Sequence, residues 1–294
     1  MKKVLKITGI TFLCLAILLI AAPFIFQSQI KSIIKDFINE NLNAQVEFSD
    51  VSLSFIKSFP QAHVTVSDLV ITNFEPFKDQ TLTSIKDLSF TMSVKELFKS
   101  ADEDPIIVNS IAINEAMLTL KTNTIGNTNY DISKKSDDNT ASNDASFKFD
   151  IQTYAINNSA ITYIDESSNT FVYISELNHN GKGIFSAETS ELDTNTEAHL
   201  SMSADSTIYL NNTVIKLEAL LDLDLSNDIY TFKNNKGFLN QLPIEFQGSV
   251  KLLEDALDID ITFENLESTF KDFLAVLPES YSENIETVET TGDF

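Results

Sequence analysis

The sequence predicts a mainly β protein in which an antiparallel sheet, with one apolar and one hydrated face, follows an N-terminal transmembrane helix. Two observations predict this class. From Val46 onward, apolar and polar residues alternate with a period of two along most of the chain, which is typical of strands with one buried face. Near the N-terminus, residues 7–26 carry no charge, which is typical of a membrane-spanning segment.

The composition of the 294 residues excludes several classes of function. The 20 basic residues are all Lys, and against 43 Asp and Glu they leave a net charge of −23. This charge repels nucleic-acid phosphates, and the absence of Arg removes the side chain that most often reads base edges. Since Cys14 is the only cysteine, neither a disulfide within the chain nor a cysteine-based metal site can form.

The stretch 7–26 is long enough to span a bilayer, because a helix rises about 1.5 Å per residue and the hydrocarbon core is about 30 Å thick. Three lysines and no acid precede it, so the positive-inside rule places residues 1–6 in the cytoplasm as a short stub and the bulk of the chain outside. The alternative is a cleaved signal peptide. It is disfavoured because Pro23 follows the small residues Ala21 and Ala22.

Residues 30–42 have apolar side chains at helical spacing and charged ones on the other side, which predicts an amphipathic helix. Such a helix can lie on the membrane surface, or it can cap the end of a sheet, and the sequence does not decide between the two. Its apolar positions are Ile30, Ile33, Ile34, Phe37, Ile38 and Leu42.

Strand alternation is clearest in four later segments, each with its apolar side chains on one face. Helical exceptions are predicted only at residues 95–99 and 266–276. The apolar strand positions are Val64, Val66, Leu69 and Ile71; Leu88, Phe90, Met92 and Val94; Leu217, Ala219, Leu221, Leu223 and Leu225; and Leu257, Ile259, Ile261 and Phe263.

A weak repeat recurs in four hexapeptides that begin at Phe48, Val66, Ile85 and Val108. In each of them the alternation slips by one residue across a polar pair. Such a slip would turn every later side chain to the other face unless a bulge or turn absorbs it. Since Asp, Asn and Ser tolerate bent backbone, we expect bulges at these pairs that keep one face apolar.

Residues 133–146 contain nothing apolar beyond two alanines and are predicted to form a flexible linker. They separate residues 27–132, with the amphipathic helix and the first β segment, from a second β segment at residues 147–294. The final residues resemble the opening of a further strand, so we expect the second segment to be truncated at its C-terminus.

The sequence contains no catalytic constellation. The nucleophile-elbow, zinc-protease and phosphate-loop motifs are missing, and Ser186 stands where a dinucleotide-binding loop that starts at Gly181 needs its third glycine. His63, His179 and His199 fall on separate predicted strands, where an ordinary strand histidine is favoured over a ligand or a base.

Acidic pairs are abundant but indicate no metal or hydrolytic site. Asp222 and Asp224 lie on one side of a strand, as do Asp258 and Asp260. A calcium loop at the first pair fails because Lys233 occupies its twelfth position, where a bidentate Glu is required. With no Trp to form a sugar platform, glycoside hydrolysis is also disfavoured. We therefore predict a solvated acidic face, with no metal, no cofactor and no enzymatic activity.

The apolar side chains of the sheet allow two interpretations. Two sheets can pack on each other and close their apolar faces into a sandwich core, which periodicity alone favours. Alternatively, a curved open sheet can present its apolar face as a trough for hydrocarbon. Sequence spacing does not distinguish a covered face from an open one.

Several segments together match a known pattern. They are the anchor with the helix that leads into residues 41–48, then residues 51–60 and 64–71, then residues 113–131 with a glycine turn and an Asn-aromatic-Asp ending, and residues 266–278, which close in a Leu-Pro pair. On these residues the chain resembles the N-terminal region of AsmA-like proteins, inner-membrane-anchored members of the bridge-like lipid-transfer group. The resemblance implies an elongated, twisted sheet with an apolar groove in the periplasm, phospholipid movement toward the outer membrane and a link to outer-membrane assembly. It brings no catalytic residues.

We therefore expect a single-pass inner-membrane protein, periplasmic in its bulk, that shields and transfers phospholipid toward the outer membrane through an apolar β groove. Its expected partners are phospholipid and the membrane, with outer-membrane assembly proteins as further candidates and no nucleic acid. A scaffold or assembly factor that pairs client strands with the sheet edge is the alternative. A periplasmic hydrolase that uses the acidic pairs is less favoured. The residues expected to line the groove are Val64, Val66, Leu69, Ile71, Leu88, Phe90, Met92, Ile111, Ile113, Leu118 and Leu120.

Overall fold

The computed structural model describes residues 27–98 apart from residue 29, and then residues 106–134, 147–185, 189–253, 256–264 and 276. The predicted anchor at residues 7–26 lies outside this part of the chain, as do the predicted linker from residue 135 onward and the predicted helix 266–276 except for its last residue. Within the described residues, no helix combines the length and the apolar character needed to cross a membrane.

The prediction of a mainly β protein is confirmed, because twelve strands form one open sheet in the described residues. The strands are β1 (Ala44–Glu47), β2 (Asp50–Ser54), β3 (Gln61–Asn73), β4 (Thr81–Ser93), β5 (Ile106–Thr122), β6 (Phe147–Asp165), β7 (Thr170–Phe185), β8 (Thr189–Ala204), β9 (Thr207–Asp224), β10 (Ile229–Leu239), β11 (Leu242–Leu253) and β12 (Ala256–Glu264). Their order is β1-β3-β4-β5-β6-β7-β8-β9-β10-β11-β12, and β2 pairs with β3 beside β1.

Two helical elements accompany the sheet in the described part of the chain. Residues 27–28 and 30–41 are helical, which confirms the amphipathic helix, and we call this helix α1. A 3₁₀ turn at Val94–Phe98 follows β4, close to the helical turn predicted at residues 95–99.

The sheet is mixed and not purely antiparallel as predicted. Its neighbouring strands run antiparallel except for β5 and β6, which run parallel from the pair Ile106 and Phe147 to the pair Thr122 and Asp165. A hairpin turn cannot join parallel neighbours, because the chain must first return to the end of the sheet where the first strand began. Residues 123–146 connect the two strands, so the β segments before and after them belong to one sheet.

A row of left-handed residues crosses the sheet where the strands change their alternation. Asp68, Glu115, Asn158, Glu176 and Asn212 have φ values from 46° to 52°, and we call them the bulge row. The register places them close to one another through β3, β5, β6, β7 and β9. The residues that share one face before and after each left-handed residue are an odd number of positions apart. The left-handed residue therefore returns the later side chains of its strand to the same face as the earlier ones. At Asp68, in the second hexapeptide, the apolar residues thus stay on one face as expected, but the register between β3 and β4 is unshifted there, so a left-handed residue and not an inserted one makes the correction.

Candidate functional site

One apolar face extends across the whole sheet. Paired residues of neighbouring strands point to the same side, and the register connects Val66 of β3 with Leu88 of β4 and with Ile113 of β5. We call this side the apolar face. Its members from β6 onward include Ile156, Ile161, Ile174, Leu200, Ile215, Leu217, Phe232, Ile244, Phe246 and Ile261.

Helix α1 lies over the part of the apolar face that the first strands form. Ile30 belongs to the same buried cluster as Val64 and Val66 of β3. Asp36 and Glu40, on the opposite side of the helix, are exposed. The helix therefore packs its apolar side against the sheet, so of the two sequence interpretations the one that places it on the sheet agrees with the structure.

Hydrogen bonds hold α1 at both of its ends. At the start, Nε2 of Gln27 donates to the carbonyl oxygen of Val51 in β2 at 2.6 Å. At the end, the backbone N–H of Asn43 donates to Ile132 O at 2.7 Å, and the N–H of Lys134 donates to Asn41 O at 2.9 Å. The segment that follows β5 therefore fastens the helix across the apolar face.

An apolar cavity of about 220 Å³ lies between α1 and the first strands. Except for Glu96, its lining residues are apolar, and Oε2 of Glu96 accepts a hydrogen bond from Ile107 N at 3.0 Å. A cavity lined in this way offers water few hydrogen-bond partners and suits hydrocarbon better.

The eleven predicted groove residues all lie on the apolar face, but in two settings. Seven of them line the cavity under α1: Val64, Val66, Leu69, Ile71, Leu88, Phe90 and Met92. The other four, Ile111, Ile113, Leu118 and Leu120, lie on β5 beyond the cavity lining. They continue the same face, because Phe90 pairs with Ile111 and Leu88 with Ile113.

From β6 onward, no element with described bounds packs over the apolar face. Extensive contacts between these elements occur only between neighbours in the sheet or between β4 and the turn that follows it. At the far end, Leu257, Ile259 and Phe263 of β12 are 60%, 58% and 68% exposed. Of the two interpretations of the apolar side chains, the described residues therefore agree with the open sheet and not with the sandwich.

The opposite face is mainly polar and carries exposed ion pairs, although Met117, Leu220 and Phe238 are exposed on it as well. Lys86 Nζ lies 2.6 Å from Glu115 Oε1, and Lys182 Nζ lies 3.0 Å from Asp193 Oδ2. A depression of about 480 Å³ crosses β8 to β11. Its lining mixes both signs of charge and also includes Thr196, Leu217 and Ile244, whose side chains belong to the apolar face. Lys216 pairs with Glu197 there at 3.5 Å, and both side chains are 59% exposed, so solvent screens this pair and the depression does not favour one class of ligand.

The Asp and His side chains weighed as catalytic or metal-binding candidates do not come together in one site of the described residues. Asp222 forms an ion pair with Lys233, and Asp224 Oδ2 accepts a hydrogen bond from Asn227 Nδ2 at 2.8 Å, which lowers the pKa of Asp224. His63 lies on β3, and His199 lies 3.8 Å from Glu176 in the bulge row. Within the described residues, no group of three or more His, Cys, Asp or Glu side chains could hold a metal ion.

A long sheet with one apolar face, preceded by a helix fastened across it, agrees with the resemblance noted in the sequence. A family model described as the AsmA family matches residues 1–273. The chain belongs to the AsmA family. A comparison with curated proteins found no match.

The structure explains one motif behind the AsmA resemblance, the glycine turn with its Asn-aromatic-Asp ending. Gly126 has a φ of 84° and turns the chain after β5. Asn129, which is 2% exposed, then bonds back to that strand: its Nδ2 donates to Thr119 O at 2.8 Å, and its Oδ1 accepts from Lys121 N at 2.7 Å. Sequence reasoning missed this role, although the conspicuous Asn-Tyr-Asp signal was available. In this AsmA protein the motif directs the chain back toward the end of α1.

Proposed function

We propose that this AsmA-family protein is a non-enzymatic, single-pass inner-membrane protein whose periplasmic sheet shields lipid acyl chains and transfers phospholipid toward the outer membrane. The observation that supports it most is the apolar face, which continues across the sheet and is covered by α1 only over the first strands. Family membership supports a role of the lipid-transport kind.

Hydrocarbon shielding needs this kind of surface and little else. Moving one CH₂ group from hydrocarbon into water costs about 0.8 kcal/mol of free energy, so exposing the roughly 30 methylenes of a phospholipid costs tens of kcal/mol. A continuous apolar face lowers that barrier at every step along the sheet. The transfer requires no base, nucleophile or metal.

The acidic opposite face supports the same proposal. The net charge of −23 and the exposed ion pairs keep that face hydrated and repel anionic headgroups. Lipid would therefore be directed to the apolar face. In this proposal, residues 7–26 hold the chain in the inner membrane with residues 1–6 in the cytoplasm.

Photo-crosslinking in cells that express the full chain tests the proposal with matched neighbours. Leu217 and Ile244 lie on the apolar face, whereas Lys216 and Glu245 lie next to them in β9 and β11 and point to the other side. We expect photo-reactive residues at the first two positions to capture phospholipid several times more strongly than those at the second two. Equal capture on both faces would overturn the proposal.

The alternative of an outer-membrane assembly factor is favoured by one observation, the edge of β12. This strand pairs with β11 on one side, and no described strand pairs with its other side. An unpaired edge is a template for an added strand. Purified full chain that carries bound protein and no lipid, together with equal crosslinking on both faces, would favour this alternative.

A further inference from the structure

Three polar side chains on the apolar face bond to one another across β6, β7 and β8. Tyr154 Oη lies 2.9 Å from Nε2 of His179, and Nδ1 of His179 lies 2.8 Å from Oγ1 of Thr196. The register that joins Ile156, His179 and Thr196 places this cluster on β6 to β8, and none of its residues lines the cavity under α1. All three side chains are half-buried. We call them the hydroxyl–imidazole cluster.

Gly181 sets the position of Tyr154 in this cluster. It lies directly across from Tyr154 in the register, and a Cβ at this glycine would lie 2.4 Å from Cε1 of the tyrosine ring. The ring therefore lies over the glycine, where no other residue would leave room for it. This places the phenolic oxygen beside His179.

The cluster holds one more proton than its internal hydrogen bonds use. Burial lowers the pKa of His179, so its imidazole is neutral at neutral pH and carries a single N–H. Burial raises the pKa of Tyr154, which keeps the phenol protonated, and a phenol is a stronger donor than an aliphatic hydroxyl. Tyr154 therefore donates to Nε2, the Nδ1–H of His179 donates to Thr196, and the Thr196 hydroxyl keeps its own proton.

We propose that Thr196, oriented by His179 and Tyr154, donates a hydrogen bond to the ester carbonyl of a lipid whose acyl chains lie on the apolar face. This inference rests on the proposed function. The ester carbonyl is the polar group next to the acyl chains, so it leaves water when those chains enter the groove. An acceptor moved out of water without a new partner is destabilised, and a donor on the groove floor removes that penalty.

A competition between two lipids tests the proposal on the full chain. A phosphatidylethanolamine with ester-linked chains and its diether analogue have the same zwitterionic headgroup and the same chain length, but only the first carries ester carbonyl groups. Equimolar amounts are added to the detergent-solubilised chain, and native mass spectrometry measures the ratio of the two bound lipids. One neutral hydrogen bond corresponds to a preference of about fivefold for the diester lipid.

Variants that keep the shape of the side chain isolate the hydroxyl. We expect Thr196→Val to abolish the preference and Thr196→Ser to retain it. Thr213→Val removes a buried hydroxyl from the same face in β9 and should leave the preference unchanged.

Two outcomes separate the ester site from the proposed function. If the wild-type chain binds both lipids equally, or if Thr196→Val keeps the diester preference, the ester site is wrong while lipid binding stands. If the wild-type chain binds neither lipid, the ester site falls together with the proposed function.

Discussion

The sheet consists of two regions that share one alternation pattern but differ in what lies on their apolar face. In the covered region, β1–β5 under α1, the face carries bulky aliphatic side chains, and Val51, Val64 and Val108 are at most 1% exposed. In the open region, β6–β12, small and polar residues such as Gly181 and Thr196 interrupt the apolar rows. A period of two thus determines which side chains share a face, while a neighbouring element decides whether that face is a core or a surface.

This difference assigns separate tasks to the two regions. The covered region buries enough apolar surface to stabilise the fold and to fix α1 in place. The open region keeps most of its apolar side chains half-buried or exposed, with Leu192, Ala198 and Ala219 among the buried exceptions. Such exposure is unfavourable for a surface with no ligand and useful for one that receives hydrocarbon. Stability and ligand binding should therefore respond to substitutions in different strands.

The largest expected effect comes from placing a charge in each region. Leu69 is 6% exposed and belongs to the buried cluster, so Leu69→Asp should lower the free energy of unfolding by more than about 4 kcal/mol. Leu217 is half-buried in the open region, and Leu217→Asp should lower it by only about 1 kcal/mol. Pulse proteolysis of the full chain in a urea series measures both values.

Leu217→Asp also tests lipid binding, which we expect to depend on the open region. Leu217→Asp should fold and lose lipid capture, and Leu217→Met should keep both properties as the conservative control. Equal destabilisation by the two Asp variants would mean that the open region is a closed core, which would contradict separate tasks for the two regions.

The sequence alone predicted which side chains share a face, but it did not predict which segment packs over that face. Alternation is local, so Val64, Leu88 and Ile113 could be placed on one face from spacing alone. What covers a face depends on contacts between distant segments, such as the one between Gln27 and Val51, and no local pattern specifies these. The parallel pairing of β5 and β6 was missed for the same reason, because two strands with identical patterns can pair in either direction. The hydroxyl–imidazole cluster was missed because its members are far apart in sequence.

A smaller effect is expected at the bulge row, which crosses both regions. Asp68 in the covered region and Asn158 in the open region both have a positive φ, a conformation that a β-branched residue adopts only with strain. Asp68→Val and Asn158→Val should each lower the free energy of unfolding by about 1–2 kcal/mol, whereas the glycine variants at both positions should stay close to the wild type. Thermal unfolding of the four variants measures this.

The contribution of the bulge row to stability comes from its backbone conformation and does not depend on whether α1 covers the face. We therefore expect the loss caused by valine to be similar in the two regions, in contrast to the loss caused by the buried charge. If valine is tolerated at Asn158 but not at Asp68, the bulge matters only where the face is covered, and the proposed role of the row across the whole sheet fails.

The smallest expected effect is a pH dependence to which each region contributes one histidine. Burial, and then the charge of Lys57, lower the pKa of His63 in the covered region, and burial alone lowers that of His179 in the open region. Below about pH 6.5 the unfolded chain takes up protons that the folded chain does not, so stability is fully present above this pH and is lost as the pH falls. His63→Gln and His179→Gln should each reduce the loss of stability measured by thermal unfolding between pH 7 and pH 5.

Because salt screens the charge of Lys57, added salt should weaken the contribution of His63 to this pH dependence and leave that of His179 unchanged. An equal response of both histidines to salt would contradict the assignment of burial as the sole cause in the open region.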